Sequence, residues 1–312
     1  MILGGDIGGT KVLLGLAENG APLIERRYAS ADFLNFTDLL AAFFSDAQIK
    51  PSQVHGGCLA VAGPIADDGG SAKLTNLPWT IDREALSHRF GLPPLQLVND
   101  FAAAALGAVT ASTDQRVTLQ AGQPLPDAPC LVVGAGTGLG MAIVLPQAQG
   151  WRIIPGEGGH VAFAPADEAQ LKLWRFLHAR HGRVIWEHVV SGPGITAIHE
   201  CMTGERRPAE EISQSALTAT DNAAHRSLNL FLAAYGAFAG DMALACLARG
   251  GVFLAGGIAA RLLPLLPQSP FLPAFNAKAE HAAIAARMPI HVATDPALGL
   301  NGALRMAQQS GT

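Results

Sequence analysis

The sequence predicts an α/β protein of two related lobes. Two observations carry this: a strand, glycine turn and strand occur together twice, and elsewhere apolar strands alternate with amphipathic helices. MILGGDI reads as the first strand, GGT as its turn and KVLLGLA as the returning strand, a β-hairpin with a glycine-rich tip. CLVVGAGTGLGMAIVL repeats the device, with Gly134, Gly136, Gly138 and Gly140 at alternate positions between two apolar runs. Two such hairpins in one chain suggest two halves of similar design.

Between the hairpins, DLLAAFFSDAQ has the spacing of an amphipathic helix and GGCLAVAGPI that of a buried strand. IDREALSHRFG follows as a helix ended by Gly91, and LQLVND as a strand. That last strand brings Asn99 and Asp100 to its carboxyl end, where ligands of α/β sheets usually sit. In the second half, EAQLKLWRFLHARHG and the run from about Asp221 to Ala248 are helical, the latter expected to stop at Gly250 and Gly251 before the strand VFLAGGI. LGLNGALRMAQQ reads as a closing helix. The expected division is a small α/β domain of residues 1–110, joined by the C-terminal helix 297–312, and a large α/β domain of residues 111–296.

Composition narrows the partners. With 49% hydrophobic and 15% charged residues, and 35 glycines spread through apolar segments, the 312-residue chain is expected to fold around a sizeable core. Net charge is −4, and no run of Lys or Arg supplies the basic stripe that nucleic acids or anionic membranes require. A small-molecule partner is favoured. Cys58, Cys130, Cys201 and Cys246 lie far apart with no C-x-x-C and are expected to be reduced core residues. The start of the chain has Asp6 and glycines where a signal peptide needs a basic segment and then an apolar one, and Asn229 and Asp241 interrupt the apolar stretch from Leu228 to Leu247. The expected location is cytoplasmic.

Backbone N–H groups of a tight glycine turn can converge on one phosphate, because glycine accepts positive φ and has no Cβ in the way. The first tip holds Gly8, Gly9, Thr10 and Lys11, with Asp6 beside it as a carboxylate able to hold Mg²⁺ through water. The second holds Gly136, Thr137 and Gly138. Neither is a P-loop, since GGTK lacks Gly-Lys-Ser/Thr, nor a dinucleotide fingerprint, since Leu139 stands where the last glycine belongs. Taken singly, either tip is equally well explained as a plain hairpin turn; two in one chain favour a nucleotide.

GGDIGGT, LVVGAGTGLG and FLAGGI, in that order, resemble the two phosphate hairpins and the adenosine segment of the hexokinase, actin and Hsp70 ATPase superfamily. TNLPW at 75–79, LVND at 97–100, PGEGGH at 155–160 and SGPG at 191–194 narrow the resemblance to the bacterial glucokinase family, over residues 1 to about 305. The cysteine-rich zinc loop of the related ROK sugar kinases is missing, which points to the other branch. The resemblance implies a two-lobed actin-like ATPase (ribonuclease H-like) fold with mixed sheets and an interlobe cleft. It implies ATP and Mg²⁺, glucose as acceptor, and a homodimer.

Transfer to a sugar hydroxyl needs positioning, charge stabilisation and a base. By resemblance Asp100 is that base against the 6-hydroxyl, Asn99 binds a neighbouring hydroxyl, and Glu157, His160 and Glu187 are further sugar ligands. From the residues alone, Asp100 is also a natural N-cap for FAAAALGAV, and the two roles can coexist. The resemblance implies that Gly256 and Gly257 in AGGI let a purine lie flat on the chain, while SGPG either opens a helix toward a ligand or is a plain turn before one. His178, His181 and His188 form a lesser, metal-binding alternative. Rival functions are a kinase for mannose, fructose or N-acetylglucosamine, and a catalytically silent sugar sensor of the kind that related proteins fuse to a helix-turn-helix. With the first strand read from Ile2 and Asp100 in place, the sensor is the weaker expectation. Lys11 and Asn301 depart from the family pattern at positions that bear on donor contacts.

Overall fold

The computed structural model describes residues 1–309 except Asn19, and the chain divides into two compact units. The first comprises Met1–Ala111, Ala148–Ile153 and Asp295–Thr312; the second comprises Ser112–Gln147 and Ile154–Thr294.

The first unit contains β1 (Ile2–Ile7), β2 (Lys11–Glu18), β3 (Ala21–Ala29), α1 (Phe36–Ala47), β4 (Gly57–Val61), β5 (Ser71–Lys73), β6 (Thr80–Asp82), α2 (Arg83–Phe90), β7 (Gln96–Asn99) and α3 (Asp100–Val109). Its sheet has the order β3-β2-β1-β4-β7. β1 is antiparallel to its hairpin mate β2 and parallel to β4, which is parallel to β7. Register aligns Ile7 with Val61 and Val61 with Asn99, so the first glycine tip and Asp100 emerge at the same end of the sheet, past the carboxyl ends of β1 and β7. β4 is buried at all five positions, as a strand paired on both sides and covered on both faces must be.

The second unit contains β8 (Arg116–Gln120), β9 (Cys130–Ala135), β10 (Leu139–Pro146), the second half of β11 (Trp151–Gly156), α4 (Glu168–His181), α5 (Gly192–Thr203), α6 (Ala209–Leu217), α7 (Asn222–Cys246), β12 (Gly251–Ala255), α8 (Gly257–Arg261), α9 (Phe271–Asn276), α10 (Ala282–Ala285) and β13 (Ile290–Ala293). The sheet order is β11-β10-β9-β12-β13-β8. Here too a strand, β9, is antiparallel to its hairpin mate and parallel to a later strand, β12. The chain thus uses one topology twice. α7 is long and apolar enough by composition to span a bilayer, yet Leu228, Phe231, Leu232, Tyr235 and Phe238 are fully or almost fully buried in the unit's core. It stops at Cys246 with Leu247 in the left-handed region (φ 49°), four residues before the strand. The helix thus ends short of Gly250 and Gly251, the glycines expected to stop it.

α11 (Leu298–Gln309) belongs to the first unit and packs on α3, β1 and β4. Asp295 caps its start by accepting the Ala297 N–H at 2.8 Å, and Asn301 Nδ2 donates to the same carboxylate at 2.7 Å. The unusual Asn301 thus serves the helix's first turn.

In the second unit His291 of β13 lies 5.2 Å from the Phe253 ring, with Thr118 Oγ1 3.0 Å from Nδ1. Burial, then the Arg116 charge, pulls its pKa down to about 4. The folded imidazole therefore stays neutral while the unfolded one protonates near 6.5, so the stability it contributes is full above pH 6.5 and is lost as pH falls toward 4. Urea unfolding should show a loss of about 1 to 2 kcal/mol across that window, the full shift being reduced by solvent screening of the partly exposed ring, and flattened in His291→Asn. Equal slopes in parent and variant would remove His291 as the cause.

Candidate active site

In the first unit the tip between β1 and β2 closes by a hydrogen bond from Gly8 N–H to the Lys11 carbonyl at 3.0 Å. Ser30, almost fully buried, donates its hydroxyl to the Gly8 carbonyl and its N–H to the Thr10 carbonyl, each at 3.0 Å. Gly9 lies against Asn76 of the TNLPW segment, where an added Cβ would sit 3.0 Å from the Asn76 Cβ. Thr10 and Lys11 are exposed. Asp6 is half-buried at the end of β1, and its carboxyl is pushed up to about 6, first by burial and then by the Asp100 charge, against a smaller opposing effect of Lys11. Two acids are thus near enough to feel each other.

Asp100 is the first residue of α3 and is half-buried. Burial raises its pKa, while the Phe101 N–H, donating to Oδ1 at 2.8 Å, works the other way. The helix cap is Asn99, whose Oδ1 accepts from Phe101 N–H at 3.0 Å and Ala102 N–H at 3.3 Å. This corrects the sequence reading, which gave the cap to Asp100. Asn99 has the extended backbone of a cap (ψ 141°), and Asp100 is already helical.

In the second unit the tip between β9 and β10 closes from Gly136 N–H to the Gly138 carbonyl at 2.9 Å. Gly192 N–H reaches the Gly136 carbonyl at 2.8 Å, tying this tip to the start of α5, where Ser191 caps the helix through the Gly194 N–H. Gly256 follows β12 with φ 85°, and a Cβ there would meet the Ala135 carbonyl, so glycine is required on two counts. A cavity of about 480 Å³ opens beside Gly136, Thr137 and Gly257, walled by Thr196, Ser213 and Arg261. That volume suits a nucleoside.

Glu157 and His160 bracket one turn of 3₁₀ helix, with His160 Nδ1 3.2 Å from Glu157 Oε2 and both side chains exposed. Gly158 and Gly159 are buried against β10, where a Cβ would collide with Met141 Sδ or the Leu139 carbonyl. Their smallness therefore seats the loop on the sheet. Glu187 is half-buried, and its Oε2 accepts the Leu139 N–H at 2.8 Å. The three histidines of the metal-binding alternative pair with rings: His178 stacks on Trp174 at 4.5 Å, and His181 on His188 at 4.2 Å.

Asp6, Gly8 to Lys11, Asn99 and Asp100 therefore gather in the first unit, and Gly136 to Gly138, Glu157, His160, Glu187, Gly256 and Gly257 in the second. Ser30, Thr196, Ser213 and Arg261 escaped the sequence reading. None carries a local motif, and each reaches its place through the fold.

A glucokinase family model matches residues 3–310. The glucokinase of a Nostoc species is 37% identical, the match covering 97% of each chain. A glucokinase structure from an Antarctic psychrotroph superposes with a TM-score of 0.89 at 32% identity over 98% of each chain. That of Balamuthia mandrillaris glucokinase in complex with glucose does so with 0.77 at 26%, over 98% of this chain and 93% of the other. The fold is that of the actin-like ATPases, with mixed sheets built on glycine-tipped hairpins. The chain belongs to the glucokinase family.

Proposed function

We propose that the chain transfers the γ-phosphoryl group of ATP to the 6-hydroxyl of D-glucose, with Asp100 as general base. The observation that carries this reading is the shared carboxyl end of the first unit's parallel strands, where a half-buried Asp100 follows β7 beside Asp6 and a glycine tip, in a chain of the glucokinase family. Asn99 in the first unit and Glu157, His160 and Glu187 in the second supply groups suited to the other sugar hydroxyls. Carboxylates accept two hydroxyl hydrogen bonds each, and an imidazole donates from one nitrogen and accepts at the other. Purine and ribose occupy the cavity beside Gly257 in the second unit, whose tip, Gly136 to Gly138, offers its N–H groups to phosphate; Gly8 to Lys11 offer theirs in the first unit.

Asp6 suits Mg²⁺: it is a hard oxygen donor, half-buried, and close enough to Asp100 for the two charges to repel, a pairing that a cation relieves. When bound, Mg²⁺ neutralises charge on the transferring phosphates. Asp100 accepts the hydroxyl proton as the new P–O bond forms, and the bond to the ADP oxygen breaks.

A coupled assay with ATP across glucose, mannose, fructose and N-acetylglucosamine tests the acceptor. The expected order has the highest kcat/KM for glucose by at least about tenfold, the discrimination typical of one well-placed hydroxyl contact. A higher value for any other sugar would reassign the acceptor.

A further inference from the structure

We infer that Glu187 is a strut coupling sugar binding to the shape of the second glycine tip, an inference that rests on reading Glu187 as a sugar ligand. Its place is fixed on both sides: Trp186 is almost fully buried, and Ser191 Oγ donates to the Glu187 carbonyl at 2.7 Å. The carboxylate lies along the tip. Oε2 takes the Leu139 N–H at 2.8 Å, and a Cβ added at Gly138 would stand 2.6 Å from the same oxygen. From Gly138 the hydrogen bonds run to Gly136, from Gly136 to Gly192, and one residue back stands Ser191, which holds Glu187. The circuit closes within one unit.

One carboxylate oxygen is committed to this circuit and the other remains to accept a sugar hydroxyl. A hydroxyl that fixes the Glu187 rotamer also fixes the peptide between Gly138 and Leu139, the backbone assigned to phosphate. Linkage then requires reciprocity: glucose tightens nucleotide binding, and nucleotide tightens glucose binding by the same factor. Glu187 is a positioning residue for the phosphate turn, and the coupling disfavours phosphoryl transfer when the acceptor site is vacant.

Calorimetry with D-glucose and the non-hydrolysable analogue AMPPNP, each alone and in the presence of the other, tests this on the full chain. The parent should show at least about fivefold coupling, the lower end of ordinary allosteric factors. Glu157→Gln should weaken glucose while keeping the factor; Glu187→Ala should weaken glucose and bring the factor to about one. Glu187→Gln, whose amide oxygen still accepts from Leu139, should keep most of it. Gly138→Ala displaces the Glu187 carboxylate and should weaken glucose binding about three- to tenfold without any nucleotide, although Gly138 itself is assigned to phosphate. Coupling retained in Glu187→Ala, or parental glucose affinity in Gly138→Ala, overturns the strut. Glucose binding untouched by both Glu157→Gln and Glu187→Ala overturns the sugar site and the strut with it.

Discussion

Asp100→Asn is expected to lower kcat by about 10²- to 10⁴-fold while the dissociation constant for glucose stays within about tenfold of the parent. Asparagine keeps the shape of the side chain and an oxygen able to accept the Phe101 N–H, so the start of α3 is preserved. The true cap, Asn99, is untouched. What disappears is the proton acceptor. Burial raises the Asp100 pKa above the usual carboxylate range, which makes it a stronger base, and an amide has no comparable basicity. The measurement is steady-state turnover with saturating ATP, paired with calorimetric glucose binding. A variant that keeps more than about a tenth of parental turnover would take the base role from Asp100.

The parts of the molecule legible in the sequence are those whose signal is local. Both hairpins announce themselves as glycines between apolar strands, and Gly91 ends α2 in the left-handed region as its position suggests. Asn99 and Asp100 were legible as a strand-end pair, but which of them caps the helix depends on one ψ angle, and two Asx residues in succession carry equal cap propensity. Leu247 ends α7 without glycine, at a left-handed non-glycine residue that no propensity favours. Ser30 holds the first tip from the end of β3, and Glu187 reaches Leu139 across 48 residues. Such contacts are products of topology. The wall of the cavity beside Gly257 draws on α5, α6 and α8, so no single window contains it.

Gly302→Ala is expected to destabilise the first unit by about 3 kcal/mol, lowering Tm by about 5 to 10 °C. A Cβ at Gly302 would overlap the Ala103 carbonyl oxygen of α3, and reciprocally a Cβ at Gly107 would overlap the Leu298 carbonyl oxygen of α11. Each helix thus meets the other's backbone, which cannot rotate aside as a side chain can. Relief requires the helices to separate, and with them the buried contacts of Leu106, Leu300 and Ala303. The cost extends to chemistry because the crossing helices carry one acid and touch the other. α3 begins with Asp100, and the first turn of α11 brings Gly299 against Asp6, where a Cβ would stand 2.5 Å from Oδ2. The fraction of Gly302→Ala that remains folded should therefore also show reduced kcat. Gly56→Ala is the matched control, since an added Cβ there meets nothing within 4 Å, and its stability should stay within about 1 kcal/mol of the parent. Thermal unfolding followed by circular dichroism compares the two; if both melt together, α11 and α3 are not held at backbone contact, and the two carboxylates owe their placement to something other than this crossing.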